Sequence, residues 1–242
     1  LAWWIRQNIE NEEASAWLIA RTAVIVGRAD AVSLVPSGAH SLKLRPTRDG
    51  ESVDPSLGSA VALTEDGYFL TAAHCVTDEP FVIVLRDPSG RSVQQRGRIV
   101  WSGFRQPGRP DFAVVHAAGV QSQPVRWCSL NDAGGGVHIM SAGVGVGAPR
   151  LAGGQITGGP VDSREAPAGR AWSFTVDAPL IPGDSGGPVI VPGGRLLGIC
   201  ATVEIGAFSS SGGGTVLRPD PAFIESLIAA DRAAQSSGTL EP

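Results

Sequence analysis

The chain has 242 residues, of which 43% are hydrophobic and 17% charged. That is enough for one large domain or for two barrels sharing a core region. Its 32 glycines and 18 prolines point to an all-β, turn-rich architecture. A formal net charge of −4 without any Lys/Arg cluster argues against nucleic acid as a partner, and the lack of a long uncharged apolar run argues against a membrane span.

Leu1, Ile5 and Ile9 recur every four residues with acids between Glu10 and Glu13, which predicts an amphipathic N-terminal helical extension over 1–22. Such a helix packs on the barrel or remains from an upstream domain. A sharper reading makes it a docking element for a regulatory protein or upstream domain, with Trp3 and Trp4 as anchors. Arg6, Glu10, Glu12 and Glu13 break any signal-peptide core, and the first residue is not Met. A processed product, or a domain of something longer, is therefore expected.

Residues 23–27 read as a first strand and 36–57 as a polar loop or hairpin insertion. Residues 58–63 and 66–71 then form a hairpin leading to Thr71-Ala72-Ala73-His74-Cys75. Strands at 81–85 and 97–101 flank a turn at 86–90, and Asp111 stands at the mouth of an apolar strand, Phe112-Ala113-Val114-Val115. A linker at 119–124 leads to a second barrel beginning near Val125, with strands at 137–140 and 171–176 and a loop over 158–169. His116 and His138 read as structural histidines, and no HExxH or Cys/His pairing marks a metal site. The glycine runs at 134–136 and 143–147 lack a Gly-Lys-Ser/Thr ending and read as turns. Residues 209–214 read as a flexible loop, and 221–235 as a terminal helix with Pro221 at its start.

Gly183-Asp184-Ser185-Gly186-Gly187-Pro188 carries the chemistry. Glycines on both sides of Ser185 allow a sharp turn and leave the hydroxyl open to a substrate, but the hydroxyl needs a base and donors for an oxyanion. Gly183, Ser185 and Gly187 also satisfy Gly-x-Ser-x-Gly, whose fold runs serine, acid, histidine. His40, His74, His116 and His138 all precede Ser185, which excludes that order. The order histidine, acid, serine remains.

Taken together, the His74, Asp111 and Ser185 motifs resemble those of the chymotrypsin/trypsin-like serine proteases, over roughly residues 58–205. The resemblance implies two six-stranded antiparallel barrels, about 23–118 and 125–220, with an N-terminal and a C-terminal helix. It implies His74 as base, Asp111 as orienting acid and Ser185 as nucleophile, with an oxyanion hole from the N–H groups of Gly183 and Ser185. The expected function is serine endopeptidase on a protein or peptide substrate, with no cofactor. A catalytically silent relative acting as an interaction module is the alternative.

The hairpin before His74 looks nearer the bacterial high-temperature-requirement proteases than digestive trypsins, since Ser59 stands near the place where trypsins carry the cysteine that pairs with Cys75. In zymogens of this family an amine freed by cleavage before Ile-Val-Gly-Gly pairs with the acid preceding the nucleophile, here Asp184; Ile25-Val26-Gly27 resembles that sequence only superficially, because Val24 and Arg28 depart from it, and it reads as a plain strand. Cys75, Cys128 and Cys200 read as buried apolar residues without a disulfide framework. A reducing, cytoplasmic compartment is favoured, with a periplasmic or secreted location after processing as the alternative. By the same resemblance Pro179 lies at the base of the specificity pocket, Leu180, Ile181 and Pro182 form one wall, and Ala201, Thr202 and Val203 line the other. No acid is among them, so a small or medium apolar residue is expected before the scissile bond.

Overall fold

The computed structural model describes residues 16–27, 32–36, 42–46, 57–76, 80–86, 91–103, 109–144, 150–162, 171–204 and 213–237. The first barrel is closed by β1 (Thr22–Gly27), β4 (Leu57–Ala62), β5 (Tyr68–Thr71), β6 (Phe81–Arg86), β7 (Ser92–Ser102) and β8 (Ala113–His116). A two-stranded hairpin, β2 (Val32–Pro36) with β3 (Leu42–Pro46), is inserted between β1 and β4. The second barrel is closed by β9 (His138–Gly143), β10 (Arg150–Asp162), β11 (Ala171–Val176), β12 (Pro188–Val191), β13 (Arg195–Glu204) and β14 (Gly213–Pro219).

The two barrels repeat one topology. Around the first the order is β1-β4-β5-β8-β7-β6, and around the second β9-β10-β11-β14-β13-β12. With the six strands of each barrel taken in chain order, both run first, second, third, sixth, fifth, fourth. Every neighbouring pair is antiparallel. This is the expected chymotrypsin-like architecture.

Strand alternation separates the cores. Phe69 on β5 and Ala113 and Val115 on β8 face the first barrel's interior with Ile25, Ala60 and Ile83. Their neighbours Tyr68, Leu70 and Val114 face the other way. There they join Leu18, Ile190, Ile199 and Leu217 in a cluster that bridges the barrels. Both faces are buried, so these strands read as continuous apolar runs. Ile156, Phe174, Val176, Val189 and Leu197 fill the second barrel.

The C-terminal helix, Pro221–Ser236, starts on Asp220, whose side chain accepts the Ala222 N–H at 3.0 Å. Ile224 and Ile228 enter the bridging cluster, and Phe223 meets Trp101 edge-on at 5.4 Å. Tyr68 donates to Asp231 at 2.7 Å, and Arg98 donates to both oxygens of the same carboxylate. The helix is thus bolted to β5 and β7 of the first barrel.

Of the N-terminal extension, residues 16–19 are helical and residues 1–15 lie outside the described residues. Leu18 is fully buried between the barrels, and Arg21 stacks on Trp17 at 4.1 Å. This end of the segment packs on the barrels. Ile25-Val26-Gly27 is strand β1, paired with both β4 and β6. The loop expected over 158–169 needs correction: β10 continues to Asp162 and still pairs with β11 at Val161 and Asp162, while 163–170 lie outside the described residues. The glycine content concealed this strand, because a pattern of side chains cannot be read where side chains are missing. Of the turn expected at 86–90, Arg86 ends β6, and of the loop expected at 209–214, Gly213 and Gly214 open β14; 87–90 and 209–212 lie outside the described residues.

Candidate active site

The repeated topology puts two of the three motif residues in equivalent connections of the two barrels. His74 lies in the connection between the third and fourth strands of the first barrel, on a 3-10 turn, Ala73–Val76. Ser185 lies in the same connection of the second barrel, between β11 and β12. Asp111 immediately precedes the sixth strand of the first barrel.

Asp111 grips His74 twice. One oxygen accepts the His74 backbone N–H at 3.0 Å and the other meets Nδ1 at 2.6 Å. This bond fixes the ring's orientation and leaves Nε2 facing away from the carboxylate. The bound Asp111 raises the His74 pKa. In return Asp111 is lowered: burial opposes its charge, but the bonds from His74 outweigh it. Both side chains remain partly open to solvent.

The residue after His74 reaches the serine's backbone: Cys75 Sγ lies 3.6 Å from the Ser185 carbonyl. Among the described residues, no hydrogen bond joins Ser185 Oγ to His74 Nε2. The serine stands at the junction of two tight turns. In the first, the Asp184 N–H donates to the Ile181 carbonyl at 3.0 Å, with Pro182 second and Gly183 third at φ 96°, the signature of a type II turn. In the second, the Gly187 N–H donates to the Asp184 carbonyl at 2.9 Å, with Gly186 at φ 82°. The N–H groups of Asp184, Gly186 and Gly187 are all bonded within the protein. Those of Gly183 and Ser185 have no partner among the described residues.

Beneath this double turn lies the buried carboxylate of Asp184. It pairs with Arg150 and accepts the Ile181 N–H at 3.0 Å, while Arg150 Nη2 donates to the Pro179 carbonyl at 2.9 Å. The sequence singled out Asp184 only as a possible partner for a freed amine. Arg150 carries no motif and was not foreseen. Ser59, expected near the place of the cysteine that pairs with Cys75 in trypsins, lies one residue beside it. It is Gly58 that faces Cys75: a Cβ at Gly58 would come within 2.5 Å of Sγ. Ser59 instead points at the Gly183 turn, donating to the Gly183 carbonyl at 2.8 Å.

Of the expected pocket residues, Pro179 and Pro182 are exposed, Ile181 is half-buried, and Leu180 is buried in the core of the second barrel. Ala201 is buried in the bridging cluster. Thr202 and Val203 follow it on β13, with their side chains outside the described residues. His116 is held as a structural residue between Arg98 and the Asp66 carbonyl, stacked on Tyr68 at 4.3 Å, and His138 is exposed at the start of β9. His40 lies outside the described residues. Cys75, Cys128 and Cys200 are free and buried.

The sequence profile of the trypsin-like peptidase domain matches residues 58–199. A protein of Brucella suis named "Probable periplasmic serine endoprotease DegP-like" is 30% identical over 175 residues, which is 71% of this chain and 31% of that protein. A protein of the same name from Rhizobium meliloti is 28% identical over 172 residues, 69% of this chain and 31% of its own length. The chain thus spans about a third of these curated relatives. Among solved structures, the serine endoprotease of Yersinia pestis superposes with a TM-score of 0.63 at 19% identity, covering 90% of this chain and 66% of that one. A protease of M. tuberculosis in its active form gives 0.63 at 17% identity, covering 90% and 84%. The chain belongs to the trypsin-like peptidase family, and the relatives it matches are named serine endoproteases.

Proposed function

We propose that this chain is a serine endopeptidase working through an acyl-enzyme, with Ser185 as nucleophile, His74 as base and Asp111 as its orienting acid. The observation that carries this reading is the double grip of Asp111 on His74, beside a turn whose Gly183 and Ser185 N–H groups have no partner among the described residues. In the first step Ser185 Oγ bonds to the scissile carbonyl carbon as its proton passes to His74 Nε2. The carbonyl oxygen, now negative, accepts from the N–H groups of Gly183 and Ser185. His74 then returns the proton to the leaving amine as the C–N bond breaks. A water, deprotonated by the same imidazole, hydrolyses the ester and regenerates Ser185.

Protein or peptide chains are the substrate class. The backbone of β13 at Ala201, Thr202 and Val203 suits pairing with an extended substrate, as in other sheet-edge recognition. Pro179 at the pocket base has its carbonyl committed to Arg150, and that guanidinium is itself paired with Asp184. With no unpaired acid there among the described residues, a small or medium apolar side chain before the scissile bond is the preferred fit. A peptide library cleaved only after Lys or Arg would defeat this preference. The role of the N-terminal segment as a contact for a regulatory protein or upstream domain stands as a proposal on Trp3 and Trp4.

The test of the catalytic reading is labelling with a fluorophosphonate probe. Labelling of the wild type confined to Ser185, abolished in Ser185→Ala and suppressed in His74→Ala, is the expected result. A folded wild type that neither labels nor cleaves would favour the silent interaction module.

A further inference from the structure

Ser59 is fully buried on β4, in the barrel opposite to the one that carries Ser185. All of its polar atoms are engaged, and three of its four contacts reach the second barrel. Its Oγ lies 2.8 Å from the Gly183 carbonyl and 3.0 Å from the Val144 nitrogen. Its own N–H donates to the Ser185 carbonyl at 2.7 Å, and its carbonyl accepts from Thr71 Oγ1 at 2.7 Å. The direction of the Oγ bonds follows from chemistry. The Val144 N–H can only donate and the Gly183 carbonyl can only accept, so the single hydroxyl proton is committed to Gly183.

One residue therefore holds the carbonyls of both residues whose N–H groups the proposed mechanism needs. We propose that Ser59 is the positioning residue of the oxyanion hole, setting the turn from the first barrel by gripping the Gly183 and Ser185 carbonyls together. This inference rests on the catalytic reading above. Glycine at 183 gives the turn little stiffness of its own, because it adopts positive and negative φ almost equally readily. The Gly183–Asp184 peptide unit is restrained at its N–H by the Ile181 carbonyl and at its carbonyl by Ser59. Removing the hydroxyl leaves the Val144 N–H and the Gly183 carbonyl unpaired and frees one side of the turn.

An oxyanion exists only after attack, so the loss should fall on turnover and not on substrate binding. Outright removal of one oxyanion donor costs about 10²–10³ in kcat, and loosening the frame should cost less, about 10–100-fold. The experiment compares wild type, Ser59→Ala and Ser59→Thr, the last restoring a hydroxyl. It measures kcat and KM on a peptide amide, and inhibition by a peptide boronic acid, whose tetrahedral adduct with Ser185 places an oxygen in the hole. The expected result for Ser59→Ala is a kcat lower by about 10–100-fold, KM within about twofold, and boronate affinity weakened in parallel, with Ser59→Thr recovering much of both.

Wild-type kcat and boronate affinity in Ser59→Ala would overturn the proposal, as would a loss confined to KM. If Ser59→Ala does not fold, Ser59→Cys replaces it, a thiol being a far weaker donor of similar size. The same kcat-specific loss is then expected, and its absence overturns the proposal. A wild type inert to both fluorophosphonate and substrate is a different result, which overturns the catalytic reading and this inference with it.

Discussion

Arg150 pairs with the buried carboxylate of Asp184, Nη1 to Oδ2 at 2.5 Å, directly beneath the turn that presents Ser185. Arg150 opens β10 and Asp184 lies 34 residues further on, so the pair ties the second barrel's wall to the candidate catalytic loop. In zymogens of the resembling type, an amine freed by cleavage pairs with the acid before the nucleophile. Here the cation is Arg150, and Ile25-Val26-Gly27, which resembles an activated terminus only superficially, belongs to strand β1 as expected.

Arg150→Ala should therefore strike both stability and activity. Deleting one member of a buried ion pair leaves the other charge uncompensated, at a cost of about 3–5 kcal/mol. Arg150 is itself partly exposed, which puts the expectation at the lower end, and urea unfolding would measure it. Turnover should fall as well, because the Pro179 carbonyl and Asp184 lose their common anchor. Arg150→Lys should recover only part of each loss: an ammonium is a point charge and cannot present the planar fork that serves both acceptors. An Arg150→Ala protein as active as the wild type would sever the pair from catalysis.

The pH dependence of turnover should rise through the His74 pKa, because only the neutral imidazole can take the Ser185 proton. The bond to Asp111 raises that pKa, so the midpoint in kcat/KM is expected above the ordinary histidine value of 6.5. Asp111→Asn should move the midpoint down and lower turnover by about 10⁴, the loss typical of a triad acid. A loss of tenfold or less in steady-state kinetics would remove Asp111 from that role.

Stability should respond to pH with the opposite sign in two windows. His74 has a folded pKa raised by Asp111, so its contribution is full below 6.5 and is lost as pH rises through the raised value. His116 is lowered, by burial first and by the Arg98 charge second. Its geometry agrees: Nδ1 faces the Arg98 guanidinium at 3.3 Å and Nε2 faces the Asp66 carbonyl at 3.2 Å, which suits the neutral ring protonated on Nε2. The other groups about this site, Asp231, Arg232, Tyr68 and Gln235, are paired among themselves or with Asp66. His116 thus contributes stability above 6.5 that is lost as pH falls through its lowered value. Unfolding measured across pH 4.5 to 9 should show stability greatest near 6.5, and His116→Gln should flatten the acid side alone.

The C-terminal helix should depend on Asp231. Burial opposes the Asp231 charge, but donors on Arg98, Tyr68 and Gln235 prevail and bring its pKa down to about 2. Asp231→Ala removes those bonds and leaves Arg98 facing His116. A loss of about 2 kcal/mol is expected for hydrogen bonds to a charged group. Because Phe223 packs on Trp101 and lies near Phe112, the residue after Asp111, limited proteolysis should also find the helix more readily cut. Unchanged stability and unchanged proteolysis would show that apolar packing alone docks it.

The sequence by itself determined the fold class and marked the three motif residues as candidates, because both are written in local terms. Apolar runs buried on both faces mark barrel strands, and the glycines around Ser185 permit φ values that few other residues adopt. Where side chains give no pattern, as along Gly158–Asp162, a strand passed as a loop. Only the tertiary structure decided what holds the candidate site. Ser59 reaches Gly183 across 124 positions of sequence, Arg150 reaches Asp184 across 34, and Tyr68 reaches Asp231 across 163. A serine, an arginine and a tyrosine carry no periodicity and form no motif. Their meaning is the partner that barrel closure brings to them, and a buried polar group's partner is a property of the packed fold.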